Sequence, residues 1–215
     1  MQENNKWTGY RASLKDRIVE NAMLLFAQHG IKAVRMDDIA HSLTISKRTL
    51  YEIYDNKEML LNEVMLKVRE REEAELKAIS QRSKNVMETI LNVYYLRTEQ
   101  MRNTNPQFFI DLAKYPSVMK ILKSNHERTH SDFMLFIKRG VGEGYFRSDI
   151  DYDLVYFMFN AFSEQCKTEK VFQKYSLESI FRNNVFVVVR GICTQKGIDL
   201  LEQFMQREKI SALQG

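Results

Sequence analysis

Two stretches of the sequence set reactive side chains at helical spacing. The first, His126-Glu127-Arg128-Thr129-His130, matches H-E-x-x-H. On a helix this pattern puts two imidazoles one turn apart on one face, where they bind zinc while the glutamate acts as general base. A zinc-dependent hydrolase also needs a third ligand and an open coordination position. The longer form of the motif continues with Gly and His, and Phe133 and Phe136 stand there instead. Asp132, Glu143 and Glu164 remain as candidate third ligands. A five-residue match arises often by chance, so the sequence predicts no catalysis, no metal and no cofactor here, with the hydrolase kept as the alternative.

The second stretch is Ser46 to Tyr54, "SKRTLYEIY". Its helical reading turns Leu50 inward, together with Ile45 and with Ile39 and Ala40 from the segment before it. Ser46 caps the helix, and Lys47, Arg48, Thr49 and Tyr51 face away from the core. Lys or Arg donates to guanine O6 and N7, and a Thr methyl meets a thymine methyl. Tyr51 and Lys57 suit phosphate contacts, which set register without reading sequence.

The elements that must position these side chains are helical. From Leu14, the residues Ile18, Ala22, Leu25 and Phe26 recur at three- and four-residue steps, with Ser13 as a candidate cap and Gly30 as a stop. Two short segments follow, "RMDDIAHSL" and "SKRTLYEI", separated by "TI". A long helix and two short ones with a tight turn make a helix-turn-helix reader, the second short helix lying in the major groove.

Further helices are expected from Lys57 to Ala78, Lys84 to Arg102, within "PQFFIDLAKY", from Ser117 to Val141, from Asp151 to Lys167, from Leu177 to Gln195, and near Leu200 to Gln206. "VFVVV" is β-branched, but Phe181, Val185, Val188 and Ile192 keep helical spacing, and helix is the reading adopted.

Composition sets the bounds. The chain has 215 residues, only two prolines, and a net charge of +4, too small to imply nucleic acid by itself. Residues 1–60 hold nine Lys/Arg against eight Asp/Glu, so DNA affinity must come from local placement and from two readers acting together; a helical interaction protein without DNA binding is the second alternative. Cys166 and Cys193 form no C-x-x-C pair and read as buried thiols of a reducing compartment. The start, "MQENNKWTGYR", has no apolar signal-peptide core, and the apolar runs fall far short of the ~20 residues that cross a bilayer. A cytoplasmic protein with no membrane partner is expected.

Residues 14–60 resemble the DNA-binding domain of the TetR/AcrR family of transcriptional regulators, through "LFAQHG", "DDIA", "ISKRTLY" and "YDNKE" in register. "GEGYFRSDID" and "RGICTQKG" look more weakly like the family's C-terminal domain.

The resemblance implies an all-α homodimer. Residues 10–57 form the helix-turn-helix domain on double-stranded DNA, and residues 58–215 the helical effector-binding and dimerisation domain. It carries DNA contacts onto Arg35, Ser46, Lys47, Arg48, Thr49, Tyr51 and Lys57. A small-molecule effector would meet a pocket for which Tyr94, Phe108, Phe109, Tyr115, His126, Thr129, Phe133 and Phe157 are candidates. Two subunits would pair around Leu154–Phe162 and Phe181–Ile192, on a pseudo-palindromic operator.

Two departures stand out. Val34-Arg35 replaces the family's usual Thr/Ser pair, removing a helix cap that Asp37 and Asp38 can partly replace. Thr44 replaces a turn glycine, at a cost on the order of 1 kcal/mol if the turn needs positive φ.

Overall fold

The computed structural model describes the backbone of residues 2–123, 126–166 and 169–214, and the side chains of 11–122, 129–166 and 170–206. Among these residues the fold is all-α. In chain order the helices are α1 (Gln2–His29), α2 (Met36–Ser42), α3 (Lys47–Tyr51), α4 (Lys57–Arg82), α5 (Val86–Arg102), α6 (Gln107–Leu112), α7 (Pro116–Lys123), α8 (His126–Gly142), α9 (Tyr152–Gln165), α10 (Glu169–Phe172), α11 (Leu177–Ile192) and α12 (Gln195–Gln214). One isolated bridge, Phe146 to Cys193, is the extended pairing among them.

The chain divides into two compact units, Met1–Glu73 with Asn103–Ser124, and Ala74–Arg102 with Asn125–Gly215. The division falls inside α4 rather than at residues 57/58. The reason is apolar: Leu60, Leu61, Val64 and Met65 in the first turns of α4 are buried in the core of the first unit. That core also takes Ile18, Ala22 and Phe26 from α1, Ile39 and Ala40 from α2, Leu50 from α3, Leu112 from α6 and Val118 from α7.

α1 begins well before Ser13, which is an interior residue and not its cap. No proline precedes Ser13 to stop the helix. α1 ends where expected, Gly30 standing at φ +82 with its N–H on the Phe26 carbonyl at 2.9 Å. A Cβ at Gly30 would also come within 3.0 Å of Gln107 Cγ, so glycine is needed twice over.

Of the helix expected over Ser117–Val141, α7 and α8 are helical on either side of residues 124 and 125, which lie outside those described. Val118 is buried in the first core and Ile137 in the second.

In the second unit, Val86 and Met87 of α5 pack with Ile137, Phe146, Tyr152, Val189, Ile192, Cys193 and Leu201. Gly140 touches the Phe146 ring so closely that a Cβ would approach to 2.0 Å. Asp151 caps α9 through the Leu154 N–H at 3.0 Å, and Tyr152 donates to the Arg147 carbonyl at 2.5 Å. "VFVVV" is helical within α11, and α12 is longer than the tail helix expected. Arg102 closes α5 onto α11 with a forked pair to Glu178 at 3.0 and 3.2 Å.

Candidate nucleic-acid interface

The turn between α2 and α3 is built by backbone hydrogen bonds. The Thr44 N–H donates to the His41 carbonyl and the Ile45 N–H to the Ala40 carbonyl, both at 3.0 Å. This is a Schellman motif, and it demands a left-handed residue at Thr44, whose φ is +55. A β-branched side chain is therefore strained here, as the missing glycine implied.

Beyond the turn, Ser46 is extended, and its Oγ accepts from the Thr49 N–H at 3.0 Å, capping α3. The Thr49 hydroxyl is tied back to Ser46 Oγ at 2.8 Å, which leaves Thr49 half-buried and its methyl as the group to offer. Leu50 is fully buried, and on so short a helix that anchor fixes which residues point out. Lys47, Arg48 and Tyr51 all stand in solvent.

Both outward cations of α3 have carboxylate partners. Lys47 pairs with Asp37 of α2, and Arg48 Nε donates to Glu52 Oε1 at 2.9 Å. The i, i+4 spacing of Arg48 and Glu52 makes the second pair readable in the sequence.

Arg35 sits at the N-cap of α2 with its side chain exposed. It is not itself a side-chain cap. Asp38 supplies the other half of a capping box, its Oδ2 accepting from the Arg35 N–H at 2.7 Å, a local bond in place of a general dipole effect.

Lys57, expected on a phosphate, donates from its Nζ to the Ile31 and Val34 carbonyls at 2.8 and 2.9 Å. Burial lowers its pKa, partly offset by the charges of Asp111 and Asp38. Lys57 braces the loop that carries Arg35 and α2.

The same loop is held from a segment that the motifs did not flag. Asp111 of α6 is buried, and its Oδ2 accepts from the Lys32 N–H at 2.7 Å. Gln107 Nε2 and Lys114 Nζ serve its other oxygen at 2.9 and 3.2 Å. Burial alone would raise the carboxyl's pKa, but these three donors together hold it below the usual range. Asn105 caps the end of α1, its N–H on the Ala27 carbonyl at 2.7 Å. Nothing in the spacing of "NPQFFIDLAKY" announces contacts with residues 27–32.

The eight candidate pocket residues are divided between the units. In the first, Phe108 and Phe109 meet edge to face at 5.3 Å, and Phe108 and Tyr115 pack on the core. In the second, Tyr94 stacks on Phe181 and meets Phe186 and Phe204, while Phe133 packs against Tyr156. Phe157 is 67% exposed on the outward stripe of α9 rather than walling a cavity. Thr129 is exposed, and the His126 side chain lies outside the described residues.

At the other end of HERTH, His130 Nε2 meets Asp153 Oδ1 at 2.7 Å, and its ring lies edge-on to Tyr156 at 5.0 Å. Glu143, a candidate third ligand, accepts from the Val86 N–H at 2.9 Å and from Arg139 Nε at 2.6 Å. Among the described residues no three His, Cys, Asp or Glu are grouped to hold a metal ion, and no helix is long and apolar enough to cross a membrane.

A capped five-residue helix, anchored by Leu50 and carrying cations outward behind a tight turn, defines a helix-turn-helix DNA reader. Residues 18–64 match the family model for bacterial regulatory proteins of the tetR family. The transcriptional repressor KstR2 of Mycolicibacterium smegmatis is 25% identical over 192 residues, 86% of this chain and 94% of its own. The negative transcriptional regulator IcaR of the Staphylococcus epidermidis biofilm operon icaADBC is 47% identical over 45 residues, 21% of this chain and 24% of its own.

Among solved structures, a transcriptional regulator from Saccharomonospora viridis in complex with choline aligns with a TM-score of 0.69 at 19% identity, covering 86% of this chain and 100% of that one. KstR2 of Mycobacterium tuberculosis aligns at 0.56 and 21% identity, covering 84% and 95%. The family match thus covers residues 18–64, the helix-turn-helix region, and the likeness of fold extends over most of the chain.

Proposed function

We propose that the protein is a repressor that holds a pseudo-palindromic operator as a homodimer and releases it when a small molecule occupies its C-terminal domain. The observation that carries this reading is the outward face of α3, where Lys47, Arg48 and Tyr51 stand in solvent over a buried Leu50. Arg35 on the neighbouring N-cap adds a phosphate contact, and Lys57 acts through the loop it braces.

Dimerisation is supported by a second face. Leu154, Phe157, Met158 and Phe162 form an exposed apolar stripe on α9, and Val187 on α11 is 71% exposed. A contiguous apolar patch of this kind on a soluble helical unit marks an interface. A twofold pair then presents two α3 helices to half-sites ~10 bp apart or a multiple of that.

Repression follows the names of the relatives KstR2 and IcaR, and release by a small molecule follows the choline-bound neighbour. An effector acts only through a difference in affinity between the binding and non-binding states. The covalent routes from one unit to the other are α4, which belongs to both, and the two joins of segment 103–124.

The test is a gel shift of the purified protein on DNA from upstream of its own gene, with coding DNA as competitor, at two salt concentrations. A band that survives competitor and weakens steeply with salt is expected. Equal competition by coding DNA at both salts, with no sequence recovered from a random pool, refutes the proposal.

A further inference from the structure

Resting on the reading of α3 as the base-reading helix, we propose that Glu52 is a positioning residue that sets the Arg48 guanidinium for a guanine. The two lie one turn apart, and Glu52 Oε1 takes the Nε–H of Arg48 at 2.9 Å. Neither Nη1 nor Nη2 of Arg48 is engaged by another side chain among the described residues. A guanidinium has five N–H donors in a fixed plane, so a bond at Nε leaves the far edge, one N–H from each terminal nitrogen, intact. That edge has the two parallel donors that bidentate pairing with guanine O6 and N7 requires.

The Arg48 side chain is 89% exposed, so without a tether it would distribute over many rotamers. Glu52 is fixed at the C-cap of α3, its own N–H on the Arg48 carbonyl at 2.9 Å, and holds the fork in one plane. Lys47, paired with Asp37, is a point charge with rotating donors and defines no such edge.

The carboxylate also discriminates between acceptors. A phosphate approaching Arg48 competes with Glu52 for the positive charge and is repelled by Glu52 itself. A guanine edge is neutral and takes the terminal N–H groups with Glu52 still in place. The pair therefore weakens indiscriminate backbone binding while keeping base readout.

The experiment compares wild type, Arg48→Ala, Glu52→Ala and Glu52→Gln on the operator that wild type selects, with each base pair of the half-site changed in turn. Arg48→Ala is expected to lose about tenfold discrimination at one G·C pair. Glu52→Ala is expected to lose about threefold or more at that same pair while binding non-specific DNA more tightly. Glu52→Gln keeps an oxygen for Nε and is expected to keep the guanine preference, with the tighter non-specific binding alone.

If Glu52→Ala tightens binding to every sequence equally and leaves the guanine preference intact, Glu52 is only a surface charge and the proposal falls. An Arg48→Ala protein with unchanged base preferences also overturns it. A wild type that selects no sequence overturns the underlying reading of α3, a failure distinct from either.

Discussion

The outward faces of α3 and α9 differ in what they need from a partner. α3 turns cations and a phenol to solvent, each placed by a cap, a buried leucine or a carboxylate. α9 turns out leucine, methionine and phenylalanine, which make no demand on direction beyond being covered. The first suits a partner with a fixed pattern of acceptors, where an error of an ångström removes a hydrogen bond. The second suits a partner of matching shape, where area and packing decide. The frame beneath each face follows. Lys57, Asp111 and Asn105 fasten the chain between α1 and α2, and a Schellman turn leads into α3, while α9 has its Asp151 cap, the bonds of Tyr152 and Asp153 and an apolar underside.

Removing both reading cations should have the largest effect on this contrast. Lys47→Ala/Arg48→Ala is expected to lose about 10²-fold or more in operator affinity, with the fold and dimer unchanged, by fluorescence anisotropy. On the other face, Phe157→Glu should cost about 2–4 kcal/mol of dimer stability, read as monomer by sedimentation, while the helical circular dichroism stays. If Phe157→Glu leaves the dimer intact, the apolar face has some other partner.

The frame gives smaller effects. Asp111→Asn should cost about 2–3 kcal/mol at neutral pH, because it leaves the donors around a buried carboxylate imperfectly met. Against the upward push of burial, the donors of Lys32, Gln107 and Lys114 hold Asp111's folded pKa below the ordinary carboxyl value. Its stabilisation is thus complete well above that value and is lost as the pH falls through the lower folded pKa. Urea melts of wild type and Asp111→Asn should therefore converge in acid. Thr44→Gly should raise stability by about 0.5–1 kcal/mol, since relief at φ +55 exceeds the entropy glycine adds to the unfolded chain. No gain would mean that the turn accommodates threonine without strain.

Much of the reading unit was legible because its devices are local. The Ser46 cap, the inward Leu50, the Gly30 stop and the strain at Thr44 each depend on residues within one turn. The bracing bonds of Lys57 were not legible because its partners are the Ile31 and Val34 carbonyls, and backbone acceptors leave no trace in residue types. Asp111 was missed for the same reason, its key partner being the Lys32 N–H.

HERTH shows the limit of a motif without its surroundings. His130 has the spacing for a metal ligand, yet its ring nitrogen meets Asp153, a residue 23 positions away.

The most direct test of the account is selection of duplexes from a random-sequence pool by the wild-type protein. The account predicts enrichment of an inverted repeat whose half-site centres lie ~10 bp apart or a multiple of that, bound by two chains. Enrichment of no sequence, or of one lacking twofold repetition and bound by a single chain, would contradict it.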